Sequence, residues 1–308
     1  MSAPAPGNQP IEVFQPPLLA RERARPVRVE SVDRTLLQPV SGRPPLSDYL
    51  GHVWQRRHFI WADARAHVLG GTSGNLLGTA WLVINPVLDG AVYYVIFALL
   101  LRANRGIDNF LGYLIIGVFL FQFTTQCLTQ GARSVVAGRQ LIRSFAFPRA
   151  ALPVAAVVRQ TISFVPVLLV MVTLIAAIPP VEPVTWRWVL VPGALALQMM
   201  LNLGLALLAA RAVSAFPDLT HLISVFTRFW LYGSAVFFSY ERFIDHPVLL
   251  EVVQLNPMFI VLDITRDSLL YGVTPSAQSW RVLAAWSVAL LVAGTVYFWR
   301  GEESYGSA

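Results

Sequence analysis

Several stretches of this chain run for more than twenty residues without a single charge. Residues 109–132 hold 24 uncharged positions in a row, and residues 188–210 hold 23. About 20 apolar residues, rising 1.5 Å each in a helix, cross the ~30 Å hydrocarbon core of a bilayer. Lipid offers no partner for a free peptide group, so such segments must be helical rather than open strands. The whole chain has the matching character: 56% of its 308 residues are hydrophobic and only 13% charged, where soluble domains run near 45–50% and about 25%. The chain reads as an all-α integral membrane protein.

Four further apolar segments bring the expected number of spans to six: about 77–101, 153–178, 219–240 and 282–299 join 109–132 and 188–210. Ahead of them, residues 1–45 carry nine prolines and six arginines with no sustained apolar period, which predicts a disordered tail. The tail lacks the apolar run of a cleaved leader. Residues 46–70 place Leu46, Tyr49, Leu50, Val53, Trp54, Ile60, Trp61, Ala64 and Val68 at helical spacing, with Arg56, Arg57, Asp63 and Arg65 among the polar positions. That pattern predicts one amphipathic helix lying in the membrane interface, anchored by Trp54 and Trp61 and with Arg56 and Arg57 at the headgroups. Residues 241–279 are too charged to span and are divided by Pro247 and Pro257, so they read as short helices at the outer surface. In that stretch Asp263, Arg266 and Asp267 read as a surface ion pair. The permease body is thus expected over 77–300, with 301–308 a short second tail.

Loop charge sets the orientation. The loop 133–152 holds Arg133, Arg139, Arg143 and Arg149 without an acid, while the loops on the other side mix arginine with most of the remaining acids. The positive-inside rule then places this loop, residues 211–218 and both termini in the cytoplasm, with the chain in the plasma membrane.

Several chemistries are excluded or unsupported. All 23 basic residues are arginine, so neither a Walker lysine nor a Schiff-base lysine exists, and Gly70–Asn75 reads as a turn. Cys127 is the single cysteine; it reads as a buried small hydrophobe. No zinc-protease His pair or nucleophile elbow occurs, so no catalytic and no metal-ligating residue is assigned. The net charge of +6 belongs to membrane flanks rather than to nucleic-acid binding.

Four motifs carry a resemblance. Leu77–Pro86 with Tyr93–Phe97, Leu141–Arg149 with Leu152-Pro153, Phe216–His221, and Asn256-Pro257-Met258 with Arg266 stand in order along about 46–300. Together they resemble polysaccharide-export ABC permeases, the Wzm-like and teichoic-acid-type proteins of the ABC-2 class. Many members carry Ser-Pro in the fifth span where this chain has Ser234-Ala235, so the helix shape there is not transferred.

The resemblance implies a permease without its own ATPase site. It would pair with a second copy and with two ATP-binding cassette subunits that hold ATP and Mg, and would export a polyprenyl-linked polysaccharide. Arg133, Arg139 and Arg143, on a short helix from Ala132 to Phe147, would meet the ATPase, with Phe145 and Phe147 entering a cleft on it. Tyr93, Phe97, Phe123 and Trp230 are candidates for the translocation path, because sugars present apolar faces to aromatic rings. Arg228 lies near mid-span and has two readings, a structural pair with Asp89 or a contact for the carrier's pyrophosphate. Exclusive use of arginine points to GC-rich coding and, within that class, toward an actinobacterial cell-wall galactan. The alternatives are an ABC-2 exporter of a smaller lipid or drug, and a membrane glycosyltransferase or polymerase subunit.

Overall fold

A computed structural model describes residues 44–70, 80–96, 109–144, 147–177, 184–238 and 253–306, all within the unit Val40–Ala308. Residues 1–43 of the expected tail 1–45, residues 71–79 with most of the expected turn Gly70–Asn75, and the candidate residues Phe97 and Phe145 lie outside the described residues, as do the side chains of Tyr93 and Arg143. Among the described residues there is no strand. The helices are α1 Leu46–Gln55, α2 Arg57–Gly70, α3 Trp81–Tyr94, α4 Phe110–Ala137, α5 Arg139–Ser144, α6 Ala151–Ala177, α7 Val191–Ala215, α8 Leu219–Gly233, α9 Pro257–Arg266 and α10 Ala277–Arg300. Short turns of tighter or wider helix precede α7 (Trp186–Leu190) and follow α9 (Asp267–Tyr271) and α10 (Glu302–Gly306).

Among the described residues four helical stretches are long and apolar enough to cross a bilayer: Phe110–Ala137, Ala151–Ala177, Trp186–Ala215 and Ala277–Arg300. The other two expected spans correspond to shorter described helices, α3 of 14 residues and α8 of 15. Local chemistry fixes several starts. Asn109 accepts a bond from Gly112 N–H, Asn256 from Met258 N–H, and Ser276 from Ser279 N–H, each satisfying a donor that the first turn leaves free. Gly138 breaks α4 from α5 because the chain folds tightly there: a Cβ at that position would stand 2.6 Å from the Leu152 side chain.

The middle of the molecule is α4, of whose apolar window 78% is buried against 17% for α6. Contacts set the directions. Gln198 reaches Leu120 and Thr124, and Gly131 meets Ala206, so α4 and α7 run the same way. Ser287 reaches the Leu197 carbonyl and Gly294 meets Gly204, so α10 runs with them. The ends at Ala137, Ala215 and Arg300 therefore share one side of the molecule.

Between lipid-embedded helices apolar burial gives little drive, so close packing over small residues carries the association. A Cβ at Gly204 would fall 2.4 Å from the Leu290 carbonyl carbon, one at Gly294 2.4 Å from the Gly204 oxygen, and one at Gly131 2.4 Å from the Ala206 Cβ. These three glycines let α4, α7 and α10 touch backbone to backbone.

The segment 46–70 differs from the single helix expected of it. It breaks at Arg56 into α1 and α2, and it is fastened to the body. Ile60 (5% exposed) packs with Ala151 and Ala155 of α6, Ala64 is fully buried, and Asp63 forms an ion pair with Arg159 at 3.3 Å. Trp54 and Trp61 remain 69% and 56% exposed, on the sides of α1 and α2 left uncovered.

The glycine crossing generates a prediction. Gly204→Leu overpacks it and lowers stability by about 1–3 kcal/mol or more, read as a fall in the melting temperature of the purified protein in detergent. Gly51→Ala on α1, with nothing within 4 Å of the added carbon, leaves the melting temperature unchanged or slightly raised.

Candidate coupling end and the opposing bend

Two places on the helical frame concentrate polar chemistry. The first is the side where α4, α7 and α10 end. At 28 residues α4 is about 42 Å long, more than the hydrocarbon core requires. Its last turns carry the exposed Arg133 beyond the apolar stretch, and after Gly138 the short α5 begins with the half-buried Arg139. The expected single helix from Ala132 is thus replaced by the end of a membrane helix plus a separate six-residue one. Arg143 sits in α5, while Phe147 is turned inward, packed with Tyr49, Val135 and Ile142. Phe147 is therefore a brace of this chain's own core rather than a free aromatic.

Tyr49 of α1 (2% exposed) and Glu302 (9%) meet in the same cluster, the hydroxyl donating to the carboxylate at 2.7 Å. Burial pushes the Glu302 carboxyl above its ordinary range, opposed by the bonds it accepts from Tyr49 and from the Arg149 N–H. The last carbonyls of α10 are closed by side chains: Arg211 donates to Tyr297 O and lies over its ring, and Tyr305 donates to Phe298 O at 3.0 Å.

The second place is the bend after α8. Fifteen residues make α8 about 22 Å long, short of a full crossing. The chain then turns, and its carbonyls need internal partners. Asn256 supplies some: its side-chain amide donates to Gly233 O at 3.1 Å and Ser234 Oγ at 2.9 Å, while its oxygen accepts from Trp230 Nε1 at 2.9 Å and from Met258 N–H. Arg266 supplies more, donating to Ala235 O at 3.2 Å, Val236 O at 3.3 Å and Tyr113 O at 3.2 Å. Its guanidinium carbon lies 3.4 Å from the Tyr113 ring centroid, a cation held by a π face and carbonyl dipoles. The Tyr113 hydroxyl stands 2.8 Å from Ala235 O and 2.7 Å from Phe238 O.

This arrangement corrects the reading of Arg266 as half of a surface ion pair. Arg266 is 3% exposed and forms no ion pair with Asp263 or Asp267 among the described residues. Its importance was missed because a charge between two acids at helical spacing looks solvated; the one available signal was its place after Asn256-Pro257-Met258. The Asp89–Arg228 pair does not form either. Arg228 is exposed on α8 and Asp89 half-exposed on α3, with no ion pair between them. Phe123 is 4% exposed and stacks on Phe164 at 4.4 Å, so it packs the core rather than lining a surface. Trp230 lies half-buried between Phe121 and Phe226, with its N–H committed to Asn256. Among the described residues no cluster of His, Cys, Asp and Glu could hold a metal.

The family model for ABC-2 type transporters matches residues 67–270. This chain belongs to the ABC-2 type transporter family. The chain is also similar to an O-antigen export system permease protein RfbA from Myxococcus xanthus, 27% identical over 259 residues, covering 83% of this chain and 97% of that one. A Klebsiella pneumoniae protein of the same name is 24% identical over 224 residues, covering 73% of this chain and 84% of the relative. In this ABC-2 chain the motifs Asn256-Pro257-Met258 and Arg266 turn out to be the residues that close the α8 bend.

Ala235 has φ of +51°, a region that residues other than glycine rarely occupy. The chain bends there without a proline. Proline fixes φ near −65°, so Ala235→Pro misfolds the bend and removes the protein from the membrane fraction, whereas Ala235→Gly is retained at parental level. Immunoblots of membrane fractions read the difference.

Proposed function

We propose that this chain is the permease subunit of an ABC exporter that moves a lipid-linked polysaccharide out of the cytoplasm. It acts as a pair of identical chains with two ATPase subunits, on which ATP and Mg are bound. The observation that carries the reading is α4 itself: a helix long enough to cross the bilayer overruns it and ends on Arg133 and α5, so a push on that end is delivered straight to the packed centre of the molecule. A permease with no lysine for a phosphate-binding loop takes its work from such a contact. The relatives' names, O-antigen export permeases over most of this chain's length, support polysaccharide as the cargo class. Positive-inside charge supports a cytoplasmic position for this end and for both termini, in the plasma membrane.

The exposed side of α8 supports pairing. Leu222, Phe226 and Phe229 are 58–74% exposed, and His221 and Arg228 are exposed on the same helix, seven residues apart. An arginine inside a membrane helix does not face acyl chains without cost. This side therefore meets a second copy or the aqueous path between copies, with Arg228 placed to draw the anionic carrier.

The reading is tested in the producing cell. Depletion of the chain leaves lipid-linked polysaccharide accumulating on the inner leaflet, and Arg139→Glu with Arg143→Glu abolishes copurification of the ATPase while the chain still inserts. Surface polysaccharide at parental level after depletion would overturn the function. Full export by the double variant would overturn the assigned contact.

A further inference from the structure

Glu302 lies outside every motif and every assignment made above. It follows the last turn of α10, in a region with no expected role, yet it is 9% exposed and reached from two other parts of the chain. Its Oε2 accepts the Tyr49 hydroxyl of α1 at 2.7 Å, and its Oε1 accepts the Arg149 backbone N–H at 3.1 Å, just before α6. The same Tyr49 hydroxyl accepts the Ala150 N–H at 3.0 Å. Carboxylate Oε1 and the phenol oxygen thus close the two donors that precede the 27-residue α6, where the helix dipole also favours a negative charge. The carboxylate accepts at every contact, which is the pattern of its ionised form. Buried carboxylates are costly unless bonded in this way, so the contact is specific rather than a surface accident.

Three elements that are remote in sequence meet at this carboxylate. α1 begins the amphipathic segment, residues 147–150 leave α5, and residues 302–306 end the helix that packs on α7 through Gly204. Around them Tyr49, Val135, Ile142, Ala150, Leu207, Phe298 and Tyr305 form one buried cluster, and Trp299 donates to Pro44 O at 2.9 Å. Ile142 of α5 belongs to that same cluster, so α5 adjoins the joint as well.

We propose that Glu302 is a positioning residue for transport: with Tyr49 it joins the amphipathic segment, the exit of the coupling helix and the end of α10 into one moving body. The claim rests on the proposed ATP-driven export. Its failure is told apart from failure of that reading by carrying the parent complex through every assay and by one measurement that needs no transport. In the complex with its ATPase, Tyr49→Phe keeps the ring and removes both hydroxyl bonds. Membrane level and ATPase copurification stay parental, while polysaccharide exported per ATP hydrolysed falls about tenfold. Glu302→Ala gives the same loss, Glu302→Gln an intermediate one because an amide nitrogen then faces an N–H, and the Tyr49→Phe, Glu302→Ala double variant is no worse than either single change.

Amide exchange on the purified chain supplies the independent reading: in Tyr49→Phe, residues 46–55, 149–152 and 302–306 all exchange faster, and α9 does not. A parental export-to-ATP ratio, loss of the protein from the membrane in Tyr49→Phe, or faster exchange in only one of the three segments would overturn the proposal. A parent complex that neither copurifies with an ATPase nor exports would overturn the functional reading, leaving the exchange result to decide the joint.

Discussion

Lipid cannot satisfy a backbone carbonyl, and the place where this constraint presses hardest is the end of α8. A helix of about 22 Å stops before the bilayer does, and each carbonyl left unpaired in hydrocarbon costs several kcal/mol. The chain answers with side chains brought from far away in sequence: Tyr113 from α4, Asn256 from before α9 and Arg266 from its end. Arg266 can approach only because Gly117 has no side chain; a Cβ there would stand 2.7 Å from its terminal nitrogen. The bend thereby fixes α9 against α4 and sets the depth to which the segment before α10 enters the molecule.

From the bend inward, the fold is a block of three helices running the same way. Their crossings are set by Gly131, Gly204 and Gly294, which bring backbones together where a larger side chain would hold them apart. A block packed this tightly transmits displacement along its axis instead of absorbing it. Within that block α4 runs without interruption from Phe110, beside the bend, to Ala137, beyond Arg133. The amphipathic segment, in turn, is fastened to α6 by the Asp63–Arg159 ion pair and by Ile60 packed with Ala151 and Ala155.

Much of this frame was legible in the sequence. The uncharged runs gave α4 and α7 to within a few residues, because period and length suffice when the solvent is lipid. The periodic segment 46–70 was found, but its break at Arg56 was not, since the residues there keep helical spacing across it. Charge was the poorest guide. Arg266 reads as solvated from its neighbours and is buried; Asp89 and Arg228 read as partners from their depth and do not meet. For Arg266 the deciding contacts are with backbone carbonyls remote in sequence, which no local pattern records. Glu302 was invisible for the same reason: its partners are 253 and 153 residues away.

Work applied at the arginine-bearing end of α4 is proposed to move a lipid-linked polysaccharide to the other leaflet. Purified chain and its ATPase, reconstituted in vesicles with a radiolabelled polyprenyl-linked polysaccharide in the outer leaflet, measure this directly. With the ATPase facing outward, added ATP is expected to carry the label to the interior, where a membrane-impermeant glycosidase no longer reaches it. Label that stays accessible in the presence of ATP hydrolysis, or that moves equally well in vesicles lacking this chain, would contradict the account.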